Sequence, residues 1–168
     1  NDSTVKAING SVEMKGNEGI TNNIGATITA GQSVVMASEA GKITNASSVT
    51  AQKGSIVLDS QGTAETHGGI TSNAQGAVLS ALNGSISAVA KYGEVNISEL
   101  IAKETAAAGT FQGTVNVGTI KGDDVVLYTE SADSDIIVND ITVGDHLLLQ
   151  GNAFKHTDAA GNIVSGVG

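Results

Sequence analysis

Among the groups suited to acid–base or metal chemistry, this chain offers 17 carboxylates and three histidines, and it has no cysteine. Their spacing decides what they could do. Glu104, Asp124 and Asp145 recur at intervals of 20 and 21 residues, and Glu99, Thr119 and Asp140 do the same. If that interval is one structural repeat, the first three stack into an acidic column. Carboxylates stacked at strand spacing repel one another. They either fan outward at a solvated corner, the favoured reading, or share a hard cation such as Ca²⁺, which takes several oxygen ligands. The calcium nonapeptide signature GGxGxD is absent. Asp133 and Asp135 form a DxD, with Asp123 and Asp124 about half a repeat away. Paired carboxylates can serve as acid and base, or as nucleophile, at a glycosidic bond. Both pairs lie in turn-like contexts, SADSD and KGDD, and the chain has no Trp and only two Tyr to act as sugar platforms. His67, His146 and His156 stand in no metal spacing and beside no nucleophile elbow, so they are expected at solvent-facing corners. No catalytic, cofactor or metal residue is assigned, and the chain is expected not to be an enzyme.

These residues ride on a repeat. SVEM at 11–14, SVVM at 33–36 and SIVL at 55–58 are each 22 residues apart. VNISELIAKE (95–104), VNVGTIKGDD (115–124) and IIVNDITVGD (136–145) align without a gap. A period in this range means one unit stacked on copies of itself. Within each unit, alternating pairs such as Val12/Met14, Val34/Met36 and Ile56/Leu58 indicate strands with one face buried. Second apolar points are expected at Ile20, Ile43 and Ala64, and third points at Ile28, Val49 and Ile70, with Gly, Asn and Ser at the corners between. The next coil is expected to start near Val78, keeping the 22-residue phase.

In the second half, Val95/Ile97, Val115/Val117 and Ile136/Val138 share one column, and Leu100, Ile120 and Ile141 the next. The third column holds Ala106/Ala108 and Leu147/Leu149, with either Val126/Tyr128 or Val125/Leu127 between them. SELIAKETAAAG (98–109) resembles a capped helix, yet its aligned counterparts are β-branched, so it is read as strand.

The fold expected is all-β: a single-stranded parallel β-helix of about seven coils, with three short strands per coil. Residues 8–92 carry 22-residue coils, residues 93–152 carry 20–21-residue coils, and residues 153–168 form a Gly-rich end. A change of cross-section is expected near residues 82–94.

Composition agrees. The chain has 22 Gly and no Pro, as expected where nearly every residue belongs to a ladder. Only 2% of residues are aromatic, which suits a narrow core of identical rungs. Formal charge is −9 with eight Lys and no Arg, which argues against nucleic-acid binding. No apolar run is long enough to span a membrane as a helix. The pattern is already in progress at Val5 and Ile8, and no capping segment is evident, so the chain is expected to be a piece of a longer protein. Asn-x-Ser triplets begin at Asn1, Asn9, Asn45, Asn83 and Asn96, a number that a Ser/Thr/Asn-rich chain yields by chance.

GKITNASSVTA (41–51), GSIVLDSQG (54–62), GITSNAQGAVLSA (69–81) and GDHLLLQGN (144–152) resemble the repeats of filamentous-haemagglutinin-type exoproteins of bacterial two-partner secretion. The likeness covers about residues 8–152. It implies a right-handed parallel β-helix on the bacterial cell surface or secreted, exported through a dedicated outer-membrane transporter. It also implies a role as the shaft of an adhesin, a virulence factor meeting a receptor or glycan on a host or neighbouring cell. A stalk for a contact-dependent toxin is the alternative, with a polysaccharide-degrading β-helix enzyme behind it. Some relatives in that family are glycosylated on such asparagines.

Overall fold

The computed structural model describes residues 1–158, 160 and 163–167. Among them there is no helix. The first coil comprises β1 (Val5–Ala7), β2 (Val12–Gly16) and β3 (Gly19–Asn22). The second comprises β4 (Ile28–Ala30), β5 (Val34–Ser38) and β6 (Lys42–Asn45), and the third β7 (Val49–Ala51), β8 (Ile56–Ser60) and β9 (Gly69–Ser72). Then follow β10 (Leu79–Ala81), β11 (Ile86–Ala90), β12 (Val95–Ala102), β13 (Thr105–Thr110), β14 (Val115–Thr129) and β15 (Ile136–Gln150). The chain closes with β16 (Phe154–Thr157) and β17 (Ile163–Val167).

From β1 to β16 each strand pairs in parallel with its counterpart one coil away, making three ladders around one core. The first face stacks β1, β4, β7, β10, the end of β12 and the middles of β14 and β15. The second stacks β2, β5, β8, β11, β13 and the ends of β14 and β15. The third stacks β3, β6, β9, the starts of β12, β14 and β15, and then β16. The result is a parallel β-solenoid of about seven turns. At roughly 4.8 Å per rung, it is a rod about 35 Å long.

The core is a set of aliphatic stacks. Val12, Val34, Ile56, Ile86, Ala106 and Val125 lie above one another on the second face, all buried. Val95, Val115 and Ile136 do the same on the third, and Leu100 and Ile120 on the first. Each such side chain is worth roughly 1.5–3 kcal/mol before entropy. Because a rung buries its apolar face only against its neighbours, stability comes from stacking.

The registers settle several open points. Val125 and Leu127, not Val126 and Tyr128, face inward with Ala106 and Ala108. Residues 98–109 are extended, in β12 and β13 with a corner at Lys103 and Glu104 between them, and contain no helix. The 22-residue phase, however, stops at Ile56. Ile70 pairs with Ile43 on the third face, and Leu79 pairs with Val49 on the first. Ala64 is exposed and in no strand. The successor of Ile56 is Ile86, so the coil starting near Val78 is corrected to one 30 residues below its predecessor. The extra length lies in the corners at 61–68 and 73–78. The cross-section therefore changes between Ser60 and Leu79, earlier than the expected 82–94. Pattern reading failed because the inserted corners are rich in the same Gly, Thr, Asn and Ala as the rungs.

At the far end, β17 pairs antiparallel with β16. The parallel ladder of the third face thus ends in a hairpin that was not evident as a cap in the sequence. Of the Gly-rich end, Ala159, Gly161, Asn162 and Gly168 lie outside the described residues.

Candidate functional site

The acidic column does not form. The corner between the first and second faces shortens by one residue between consecutive coils, so Asp124 pairs with Thr105, not Glu104. A register shift between Gly122 and Asp124 then sets Asp124 opposite His146, not Asp145. Glu104 and Asp124 instead meet a polar or ionisable neighbour, as does Asp123 beside them, while Asp145 is exposed on β15. Glu104 accepts from Ser85 Oγ at 3.2 Å, Asp123 lies 3.8 Å from Lys103 Nζ, and Asp124 Oδ1 lies 2.9 Å from His146 Nδ1. The second alignment holds: Glu99, Thr119 and Asp140 share a column, with the threonine between the two acids. Among the described residues no three His, Asp or Glu side chains converge on one point in a manner that would hold a metal.

The DxD fares similarly. Asp135 is bonded to Lys155 and accepts from Asn152 Nδ2 at 3.3 Å. The lysine contact is the larger cause holding the Asp135 carboxyl below its ordinary 3.8. A carboxylate kept ionised by a lysine is a poor proton donor. Of the histidines, only His67 sits in a corner, exposed, with a positive φ of 43°. His146 and His156 are exposed on strands, and His156 Nε2 lies 2.6 Å from the Asn139 carbonyl. Of the Asn-x-Ser triplets, Asn45 is 1% exposed and inaccessible to a transferase.

That asparagine belongs to a polar ladder inside the rod. Asn1 Nδ2 donates to Asn22 Oδ1 at 2.8 Å, Asn22 Nδ2 to Asn45 Oδ1 at 2.7 Å, and Asn45 Nδ2 to Ser72 Oγ at 2.9 Å. A second ladder lines the corner before the second face. The backbone N–H of Ser33, Ser55, Ser85 and Thr105 each donates to the serine hydroxyl one coil below, at 3.1–3.3 Å. Among the described residues no buried side-chain polar atom lacks a partner, as a dry core requires. The Ile-Thr-Asn triplets at 20–22 and 43–45 carried the first ladder openly in the sequence.

The arrangement that sequence reasoning missed is aromatic. Tyr92, Phe111 and Tyr128 are far apart in sequence, but the coils bring them to one edge of the second face. Phe111 and Tyr128 meet edge to face, with ring centroids 6.1 Å apart at 81°. Lys91 Nζ lies 5.6 Å from the centre of the Tyr92 ring, within cation–π range.

A groove opens beside them because of side-chain size. The outward positions in one row are Asp59, Val89, Gly109 and Tyr128, on successive coils. The row beside it carries Gln61, Lys91, Phe111 and Glu130, each the second residue past the stacked positions of Asp59 to Tyr128. Val89, short beside its neighbours, leaves a hollow of about 340 Å³ lined by Asp59, Gln61, Val89, Lys91, Tyr92, Phe111 and Gln112. Tyr128 lies back over Gly109, and a Cβ there would stand 2.1 Å from the tyrosine Cε1. Partial burial, then the charges of Glu130 and Asp59, push the Tyr128 phenol above its ordinary 10.0. Gln61 Nε2 donates to Asp59 Oδ1 at 2.7 Å, which orients the carboxylate at the groove edge. A larger depression of about 690 Å³, lined by Thr21, Thr44 and Thr66 among others, is broad and lacks an aromatic wall.

Chemically, the groove is a binding surface with an apolar floor, ring walls and a few hydrogen-bonding groups, the usual make-up of a ligand site. Comparison with protein-family models, with curated proteins and with solved structures finds no match for this chain.

Proposed function

We propose that this chain is a shaft segment of a secreted bacterial surface adhesin of the filamentous-haemagglutinin type. The observation that carries the reading is the seven-turn solenoid with three continuous parallel ladders. Such a rod resists bending because every rung is bonded to both neighbours and the core stacks run unbroken through it. Its mechanism is reach and display. It holds a binding surface away from the cell that bears it and presents its outer faces to a host or neighbouring cell.

Two further features support a binding role over a catalytic one. Asp123, Asp124 and Asp135 are engaged by Lys103, His146 and Lys155, and the hollow beside Phe111 has ring walls and amides in place of a carboxylate pair. The chain also suits export through an outer-membrane transporter. With no cysteine it threads without disulfides to undo, and coils stack one by one as they emerge.

The test is surface labelling. Antibodies raised against the purified chain are expected to label intact cells of the source bacterium. Deleting the outer-membrane transporter is expected to abolish that labelling. Labelling that appears only after permeabilisation would refute the proposal.

A further inference from the structure

We infer that the groove beside Phe111 binds a pyranose ring of a neutral saccharide chain. The inference deepens the adhesin reading by giving it a ligand class, and it rests on that reading only for where the ligand is met.

Three observations carry it. The first is amphipathic lining. A pyranose presents apolar C–H faces and a rim of hydroxyls, so it needs a ring or aliphatic surface together with planar hydrogen-bonding groups around it. Val89 and the 41%-exposed Phe111 supply the surface. Asp59, Gln61 and Gln112 supply a carboxylate and two amides, groups that bond adjacent hydroxyls in pairs. The second is charge. The groove lining holds one carboxylate and one ammonium, Asp59 and Lys91, with Glu130 exposed at the end of the adjoining row, so the lining itself does not select an ionic ligand. Lys91 is moreover occupied over the Tyr92 ring. The third is size and direction. The hollow of about 340 Å³ spans the successive coils of Asp59, Val89 and Phe111. It is open along the outside of the rod, which leaves room for the sugars on either side in a chain.

The shortage of aromatic residues does not oppose the inference once their placement is known. Three of the four aromatic residues lie at this one edge, and both tyrosines are among them.

That placement also supplies the assay. With no Trp and only Tyr92 and Tyr128, the chain's intrinsic emission reports on this groove alone. Cellotetraose, maltotetraose, chitotetraose and lacto-N-tetraose are titrated into the purified chain, with a heparin tetrasaccharide and a tetralysine peptide as charged comparators. The expected result is a saturable emission change with at least one neutral tetrasaccharide. Phe111→Ala and Gln112→Ala, which keep both reporters, each weaken that binding about tenfold, the loss of one good ring or hydrogen-bond contact. Asn116→Ala, on a different face, leaves it unchanged.

The inference is overturned by no saturable change with any neutral sugar while thermal unfolding shows the chain folded. It is equally overturned by binding confined to heparin or tetralysine, or by sugar binding that Phe111→Ala and Gln112→Ala leave intact. The assay uses the isolated chain, so its failure leaves the surface-labelling result standing, and the reverse also holds.

Discussion

Replacing Asn45 with Ala tests whether the rod depends on the polar ladder inside it. Asn45 is 1% exposed. Its Oδ1 accepts from Asn22 Nδ2 at 2.7 Å and from the Ser47 N–H at 3.4 Å. Its Nδ2 donates to the Ser47 carbonyl at 2.6 Å and to Ser72 Oγ at 2.9 Å. Truncation removes all four bonds. The Ser72 Oγ, which loses a donor, can rotate to a new one, but the Asn22 amide and the Ser47 carbonyl are fixed by the ladder and the chain. Each buried orphan costs about 1–3 kcal/mol, so the pair gives a loss of about 2–6 kcal/mol, with about 3 kcal/mol expected where the neighbours relax in part. For a chain of this length that corresponds to a fall in Tm of about 6–12 °C. In a solenoid, damage is local, so amide exchange should quicken first in β3, β6 and β9, and least in β14 and β15. Thermal unfolding by circular dichroism and hydrogen exchange read the two effects. Asn116→Ala, exposed one face position along a later rung, is the control and should stay within about 0.5 kcal/mol of the parent. A Tm within 2 °C of the parent for Asn45→Ala, with unchanged exchange (roughly the scatter expected of a surface change), would refute the reasoning.

Two further outcomes follow from the geometry. Gly109→Ala places a methyl where the Tyr128 ring now lies. The ring swings outward at a cost of about 1–3 kcal/mol, the Phe111–Tyr128 NOE disappears and tyrosine emission changes; an unchanged NOE would contradict the packing described. Asp135, held by Lys155, titrates below its ordinary 3.8. A carboxyl whose folded pKa is depressed stabilises the fold above the unfolded value, and that contribution is lost as pH falls through the folded one. Carboxyl NMR should therefore show Asp135 still ionised below pH 3.8, and Lys155→Met should return its midpoint to the ordinary range.

Strand, corner and stack were all legible in the linear pattern, because the side-chain period of a strand is two and the coil period is the distance between equivalent strands. Val95, Val115 and Ile136, or Val12, Val34 and Ile56, needed no coordinates to be placed above one another. The breakdown came where pattern has no hold. The corners at 61–68 and 73–78 add residues without adding a rung, and only ladder hydrogen bonds showed that Ile70 belongs with Ile43. The carboxylates illustrate the same limit at single-residue scale. Glu104, Asp124 and Asp145 share a sequence interval, but a one-residue difference at a corner is invisible to an alignment and decides whether two acids stack or pass.

By itself, then, the sequence determined the architecture, since an aliphatic residue repeated at coil spacing with no proline has one way to bury itself on both sides. Only the tertiary structure decided which side chains become neighbours across coils. Neighbours there are separated by a whole coil of chain, and its length varies between 18 residues for Ile136 to Phe154 and 30 for Ile56 to Ile86. That variation brought Phe111 against Tyr128, set Gly109 beneath the Tyr128 ring and Val89 in the hollow beside it, and paired Asp124 with His146 in place of another acid.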